Sequence, residues 1–300
     1  MNTLGLYLVT VLIWGSTWLV IKFQLGVVPP MVSVAWRFAL AALMLLAWCA
    51  LRRRPLRFGL RDHLWIALQG IVMFGLNYAG VYLSEQYLTS GLVAVLFSTV
   101  VFMNALGMRL FFGLPIRPAT SVAALVGVAG VALLFWPQLA RLSGSNQQLQ
   151  GVALGLGATA VASLGNMVAT RIHRRELPVM PVNAWSMLYG ALFVAALALA
   201  AGQRFVFDTS WRYVASLVYL ALFGSALAFG AYLTLMRRIG ADRAAYTAVA
   251  IPVVALVLSS LFEQLRWQLD TVIGVALCLA GNVLMLRRRS RPDSIASRVA

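Results

Sequence analysis

The chain has 300 residues, of which 62% are hydrophobic and only 11% are charged, and its mean hydropathy is +0.87. Soluble domains carry roughly 25% charged residues, so this composition excludes a soluble globular protein. The formal net charge of +16 would suggest nucleic-acid binding in a soluble protein. Here the basic residues lie in short loops between apolar segments, so we expect membrane lipids and no nucleic acid as partners.

Apolar segments of about 20 residues, the length that crosses about 30 Å of hydrocarbon, follow one another along the whole chain. They lie at 4–21, 32–51, 64–83, 91–112, 119–136, 151–171, 181–201, 212–235, 244–262 and 269–286. The first has no basic residue before it and no small-residue cleavage site after it, so we expect a retained span and not a signal peptide. The sequence therefore predicts an all-α integral membrane protein with ten transmembrane helices.

The distribution of basic residues predicts the orientation. Loops on one side of the spans contain 18 arginines, loops on the other side contain five basic residues, and Arg37 lies inside a span. Because Lys and Arg concentrate on the cytoplasmic side, both termini are expected in the cytoplasm.

The two halves of the chain repeat each other. The motif from Pro29 to Trp36 recurs 149 residues later, from Pro178 to Trp185, and a Gly-x-Tyr-Leu motif recurs after 150 residues. Five spans per copy is an odd number, so the second copy must enter the bilayer inverted, as in many secondary transporters. We expect a first repeat at 1–137, an outer linker at 138–150, a second repeat at 151–288 and a cytoplasmic tail at 289–300.

Polar and aromatic residues fall on single faces of several spans. Tyr78, Tyr82 and Glu85 share one face of the third span, and Tyr232 is the repeat mate of Tyr82. Tyr and Trp line solute paths, but they also form belts at the head groups or pack between helices. In the sixth span, Ser163 and Asn166 belong to a polar stripe that either lines a cavity or bonds to neighbouring helices.

Charged residues and a proline add candidates for binding or gating. Arg37 lies two turns inside the second span, where it could hold a carboxylate or snorkel to the outer head groups. Lys22 and Glu85, both at outer span ends, could pair across the mouth of a vestibule. Pro252 interrupts the ninth span, which suits a gating helix, although ordinary kinks are common.

The positions of the acidic residues limit the mechanism. All eight Asp and Glu residues lie in loops, tails or span ends, and no phosphate-binding Gly-Lys-Ser/Thr loop occurs. We therefore exclude direct ATP use, and we expect no enzyme activity, metal or cofactor. Downhill transport is the simplest mechanism, and an antiporter that uses Glu85 or Glu263 is the alternative.

The residues from Leu12 to Lys22 resemble the opening span of EamA-type members of the drug/metabolite transporter superfamily, and Trp36-Arg37-Phe38 resembles their second span. Within that family the chain is most similar to YddG-type exporters of aromatic amino acids. The resemblance implies a central cavity in which rings stack on the solute while hydroxyls and an amide bind its amino and carboxyl groups. The residues placed there are Trp14, Ser16, Thr17, Tyr78, Tyr82, Ser163, Asn166, Trp185, Tyr189 and Tyr232.

The sequence thus predicts a bacterial inner-membrane exporter that works by alternating access. The resemblance implies that its substrates are amino acids, aromatic ones included, and related small metabolites. The alternative function is efflux of drugs or amphipathic cations, with or without proton coupling. A receptor role comes third, because an inverted repeat specifically serves alternating access.

Overall fold

The computed structural model describes residues 2–116, 118–136, 147–239, 247–265 and 267–287, and all regular structure within these ranges is helical. The helices are α1 (Thr3–Lys22), α2 (Pro30–Leu51), α3 (Leu60–Glu85), α4 (Ser90–Phe112), α5 (Pro118–Leu134), α6 (Gln147–His173), α7 (Val179–Ala200), α8 (211–239), α9 (Thr247–Phe262) and α10 (Leu269–Arg287).

Six of these helices, α1, α2, α3, α4, α6 and α7, are long and apolar enough to cross a membrane. The shorter apolar helices are Pro118–Leu134, Trp211–Leu227, Thr247–Phe262 and Leu269–Met285. The prediction of an all-α membrane protein is therefore confirmed. The count of ten spans, the orientation of the termini and the repeat boundaries stay predictions. Most of the predicted linker and the whole predicted tail lie outside the described residues.

Helix packing follows an exchange of the two halves. α2 packs against α7 and α5 packs against α10, while α1 contacts α8 and α9, and α6 contacts α3 and α4. If each helix is exchanged for the one five places away in the chain, the α2–α7 and α5–α10 pairs map onto themselves. The two contacts of α1 then map onto the two contacts of α6. This is the pattern that two related halves around a common axis would produce.

Two tryptophans at matching positions make matching hydrogen bonds. Trp36 Nε1 donates to the carbonyl oxygen of Val206 at 3.2 Å, and Trp185 Nε1 donates to that of Leu56 at 3.0 Å. The donors are 149 residues apart and the acceptors 150 residues apart. Each indole thus holds the loop that precedes the third helix of the opposite half.

π-Helical turns interrupt α3 and α8 at matching positions, Gly70–Leu76 and Leu220–Leu227. Such wide turns are rare and occur frequently at functional sites. In α3 the turn begins where the helix touches α7 most closely, because a Cβ on Gly70 would lie 2.3 Å from the carbonyl oxygen of Ser186. The irregular turns therefore coincide with close contacts between the halves.

Glycines also bring α5 and α10 together. A Cβ on Gly130 would lie 2.7 Å from the carbonyl oxygen of Gly274, and a Cβ on Gly281 would lie 2.8 Å from that of Ala123. Small residues at such contacts allow van der Waals packing of the two backbones, as is typical between helices in membranes. These two helices form a close-packed pair.

Candidate functional site

Trp14 of α1 lies against the π-helical turn of α8. Its Nε1 donates to the carbonyl oxygen of Gly224 at 3.1 Å. Its ring centroid lies 5.2 Å from that of Phe229 and 5.3 Å from that of Tyr232. A π-helical turn lacks some of the regular i to i−4 bonds, so a carbonyl there can accept the indole N–H. We call these four residues the Trp14 cluster.

The hydroxyls near Trp14 are engaged with nearby groups. Ser16 Oγ donates to the carbonyl oxygen of Ile13 at 2.9 Å and lies 2.7 Å from the hydroxyl of Tyr219. Thr17 Oγ1 donates to the carbonyl oxygen of Trp14 at 2.7 Å. The methyl group of Thr17 lies 2.9 Å from where a Cβ on Gly224 would be, so only glycine fits at that position without a shift.

Arg37 of α2 is buried, with 2% of its surface exposed, so it does not snorkel to the head groups. Its guanidinium carbon lies 4.7 Å from the ring centroid of Tyr78 and 5.2 Å from that of Phe38. These contacts are cation–π interactions. Within the described ranges no carboxylate oxygen lies within 4.0 Å of it, and its Nε has no hydrogen-bond partner.

Tyr82 connects Arg37 to the end of α1. Arg37 Nη1 donates to the hydroxyl of Tyr82 at 3.4 Å, and that hydroxyl donates to Gln24 Oε1 at 2.8 Å. Tyr82 has no exposed surface, which excludes the head-group belt for this residue. We call Gln24, Arg37, Phe38, Tyr78 and Tyr82 the Arg37 network. It adjoins the Trp14 cluster, since a Cβ on Gly224 would lie 3.5 Å from Arg37 Nη2.

Lys22 lies beside Glu85 but does not pair with its carboxylate. Lys22 Nζ donates to the carbonyl oxygens of Glu85 and Leu88, and its ion pair is with Glu263 Oε1 at 3.6 Å. Glu263 in turn accepts from the backbone N–H of Ser90 at 3.0 Å and from its hydroxyl. The expected Lys22–Glu85 pair is replaced because the α9 end supplies a carboxylate closer to Lys22. We call Lys22, Glu85, Leu88, Ser90 and Glu263 the Lys22 cluster.

Glu85 ends α3, as expected, but it does not line an open mouth. Its side chain has no exposed surface, and neither carboxylate oxygen has a hydrogen-bond partner among the described residues. Its position at a span end therefore did not predict that this ionisable group is buried.

The polar stripe of α6 contacts a different helix. Asn166 Nδ2 donates to Asn104 Oδ1 of α4 at 3.2 Å, and Ser163 is buried nearby on the same helix. Of the two roles predicted for the polar stripe, Asn166 thus takes the hydrogen bond to a neighbouring helix. Asn104 was absent from the sequence candidates because a single amide in a span has no periodic signal.

Trp185 and Tyr189 lie at the meeting point of α3 and α7. Their ring centroids are 5.9 Å apart, and the hydroxyl of Tyr189 lies 3.0 Å from His63 Nδ1. With the Trp185 indole bonded to the carbonyl of Leu56, both polar atoms are engaged at this end of the helices. This aromatic group is separate from the Arg37 network in the hydrogen bonds and ring contacts of the described residues.

The structure therefore connects six sequence candidates, Trp14, Thr17, Arg37, Tyr78, Tyr82 and Tyr232, through direct contacts or through Gly224. Pro252 lies inside α9 and is buried. Across the described part of the chain, no group of three His, Cys, Asp or Glu residues could hold a metal ion.

Comparisons with known proteins agree with this architecture. The EamA-like transporter family matches residues 1–136 and 149–287. The inner membrane transporter YedA of Escherichia coli is 32% identical over 279 residues, which cover 89% of this chain and 87% of YedA. A probable amino-acid metabolite efflux pump of Escherichia coli is 26% identical over 296 residues, covering 95% of each protein.

Other relatives match over similar lengths. The transporter YoaV of Bacillus subtilis is 23% identical and covers 93% of this chain and 94% of its own. One solved crystal structure superposes with a TM-score of 0.66 at 18% identity, covering 96% of this chain and 99% of the other, which shows the shared fold. The family match in both halves and the relatives of full length lead to one conclusion: the chain belongs to the EamA-like transporter family.

Proposed function

We propose that this protein is a bacterial inner-membrane exporter of amino acids, aromatic ones included, and of related small metabolites. It works by alternating access between two inverted five-helix halves, with both termini in the cytoplasm. The matching π-helical turns and the exchange-symmetric helix contacts support two halves that move against each other. The name of the amino-acid metabolite efflux pump, 26% identical, supports the substrate class.

The substrate proposal rests on one observation: Arg37 is buried, and no anion pairs with it among the described residues. A buried guanidinium is costly in a membrane protein unless an anion or hydrogen-bond acceptors balance it. Arg37 has only one hydroxyl acceptor and two aromatic faces in the described part of the chain. A solute carboxylate would supply the missing anion, since guanidinium binds carboxylates in a planar two-bond geometry.

The aromatic residues around Arg37 support a solute with an aromatic side chain. Tyr78 and Phe38 flank the guanidinium, and the Trp14 cluster begins at Gly224 next to it. Aromatic pairs contribute roughly 0.5–1.5 kcal/mol beyond the area that they bury. Phenylalanine or tryptophan bound at Arg37 would therefore find ring partners within one side-chain length.

Arg37 is closed off in this conformation, so a substrate reaches it only after neighbouring helices move. The Lys22 cluster closes the end that is predicted to face outward. We propose that the helices bend at two kinds of place: the buried Pro252 in α9, and the π-helical turns of α3 and α8. At both, the helix lacks part of its regular backbone hydrogen bonding.

Efflux of amphipathic cations is the second candidate, and the buried carboxylate of Glu85 is the observation that favours it. A cation could pair with Glu85 as an amino acid could pair with Arg37. The downhill mechanism expected from the sequence rested on the absence of buried carboxylates, and the burial of Glu85 removes that ground.

Transport by purified protein in liposomes tests the proposal. We expect uptake of labelled phenylalanine, tryptophan and threonine, and none of a cationic dye. Arg37→Gln should lower phenylalanine transport by about tenfold or more, because a hydrogen bond to a charged group contributes about 1.5–3 kcal/mol. The exposed Arg57 provides the matched control, Arg57→Gln, which should transport normally. Transport of the dye alone would overturn the amino-acid assignment.

A further inference from the structure

Glu85 is a buried ionisable group at the end of α3. It has no exposed surface, and both of its carboxylate oxygens lack hydrogen-bond partners among the described residues. Burying an ionised carboxylate under such conditions costs far more than burying a neutral one. A carboxyl group buried in this way is a candidate proton-binding group, because the neutral form is the one that needs no counter-charge.

The charged and titratable groups around Glu85 are engaged with other partners. Lys22 of α1 bonds to two backbone carbonyls and forms its ion pair with Glu263, which follows α9. Arg37 of α2 donates to Tyr82, which lies on the same helix as Glu85 and donates to Gln24. Lys22 is paired with Glu263, whereas within the described ranges neither Arg37 nor Glu85 has an atom of opposite charge within 4.0 Å.

Unlike Glu85, Glu263 has hydrogen-bond donors and an ion-pair partner among the described residues. It accepts the backbone N–H and the hydroxyl of Ser90, at the start of α4, besides pairing with Lys22. These donors and Lys22 hold the carboxylate of Glu263 at the start of α4. Glu263 is thus a closing contact between α9, α1 and α4, and Glu85 is the group that this contact encloses.

Movement of Lys22 and Glu263 away from α3 would uncover Glu85, which lies one helical turn from Tyr82, the residue that Arg37 contacts. An α-amino acid carries its carboxylate and its ammonium group on the same carbon atom. Arg37 suits the carboxylate, and an ionised Glu85 suits the ammonium, so a zwitterion would neutralise both residues at once. A proton on Glu85 removes the charge that attracts the ammonium group, so proton and solute exclude each other.

We propose that Glu85 is a proton-binding site at which a proton competes with the ammonium group of the exported solute. The inference rests on the proposed function and adds its energy source. After the solute leaves on the outside, the carboxylate takes a proton there and forms its O–H bond. When the site faces the cytoplasm, that bond breaks, the proton leaves, and the next solute binds. One proton enters for each solute that leaves.

Proton release on binding tests the competition without any transport. Purified protein in weak buffer is mixed with phenylalanine and a pH indicator. We expect release of about one proton per bound phenylalanine from wild type at a pH where Glu85 is protonated, and none from Glu85→Gln. The infrared band of a protonated carboxyl should fall on phenylalanine addition in wild type and be missing in Glu85→Gln. An equal proton release from both proteins would overturn the proposal.

Transport in liposomes separates this inference from the proposed function. With an imposed pH gradient, wild type should accumulate phenylalanine against its own gradient, and Glu85→Gln should lose all stimulation by the gradient. Glu176→Gln, which changes an exposed carboxylate, should keep it. Exchange of phenylalanine by wild type without any gradient effect overturns the proton coupling and leaves the proposed function standing. A titrating Glu85 band in a protein that exchanges no amino acid supports the proton site and overturns the proposed function.

Discussion

The contact between α3 and α7 leaves no room for a methyl group at Gly70. A Cβ there would lie 2.3 Å from the carbonyl oxygen of Ser186 and 3.0 Å from the backbone nitrogen of Gly190. Real Cβ contacts are essentially never shorter than 3.0 Å, so Gly70→Ala requires a backbone shift of at least 0.7 Å, the difference between 3.0 and 2.3 Å. Gly70 makes the tightest contact between α3 and α7.

Gly70→Ala should lower the free energy of unfolding by about 1–2 kcal/mol. Because the clash is with backbone atoms, its cost lies in the upper part of the overpacking range, about 2–3 kcal/mol, and the better helix propensity of alanine returns about 1 kcal/mol. Thermal unfolding of the purified protein in detergent would measure the loss as a lower Tm, at roughly 2–4 °C per kcal/mol.

Gly157→Ala is the matched control, because Gly157 is an exposed helical glycine with nothing within 4 Å of its Cβ position. It should keep or raise the Tm. A Gly70→Ala protein with the Tm of wild type would refute the close approach of α3 and α7 and the reasoning built on it.

Three further predictions concern the site and the repeat. Tyr78→Phe should transport phenylalanine normally, since the ring and not the hydroxyl faces Arg37. Tyr78→Ala should insert normally but lose most transport. Equal transport by both variants would exclude the ring contact. Trp36→Phe and Trp185→Phe should each lose about 0.5–1.5 kcal/mol of stability in thermal unfolding, one hydrogen bond each; unequal losses would contradict their equivalence. A double-mutant cycle of Asn104→Ala and Asn166→Ala should give a coupling of about 0.6 kcal/mol, as interhelical bonds in membranes do, and strict additivity would exclude the bond.

The sequence predicted the helical membrane architecture because its main signal, the length of each apolar segment, is local. Apolar length determines which segments can span a bilayer, and the predicted segments overlap the described helices to within a few residues at most ends. The repeated motif around Trp36 and Trp185 also anticipated the exchange-symmetric contacts. α6, which begins at Gln147 and not at the predicted 151, shows that polar residues can extend a helix beyond its apolar part.

The site could be predicted only in part because its decisive contacts join distant segments. The spacing along α3 placed Tyr78 and Tyr82 on one face correctly, but it could not show that Arg37 would be buried against them. Nor could it show that Glu263 would reach Lys22, since the two are 241 positions apart. Burial of Glu85 depends on which helix end covers it, and no pattern within α3 carries that information.

Gln24 and Asn104 were absent from the candidates for a related reason. Gln24 follows the end of α1, where a polar residue is ordinary, and its role depends on the hydroxyl of Tyr82. Asn104 has no polar neighbour at helical spacing to mark a face. Comparing each polar residue in one half with polar residues on helices expected to contact it would have found both.

Competition by two molecules that differ only in the carboxylate tests the central claim most directly. Uptake of labelled phenylalanine into liposomes is measured with excess unlabelled phenylalanine or with excess 2-phenylethylamine, which lacks the carboxylate. If Arg37 holds the solute carboxylate, phenylalanine should abolish uptake and the amine should leave it nearly unchanged. Equal inhibition by both, or stronger inhibition by the amine, would contradict an amino-acid site at Arg37.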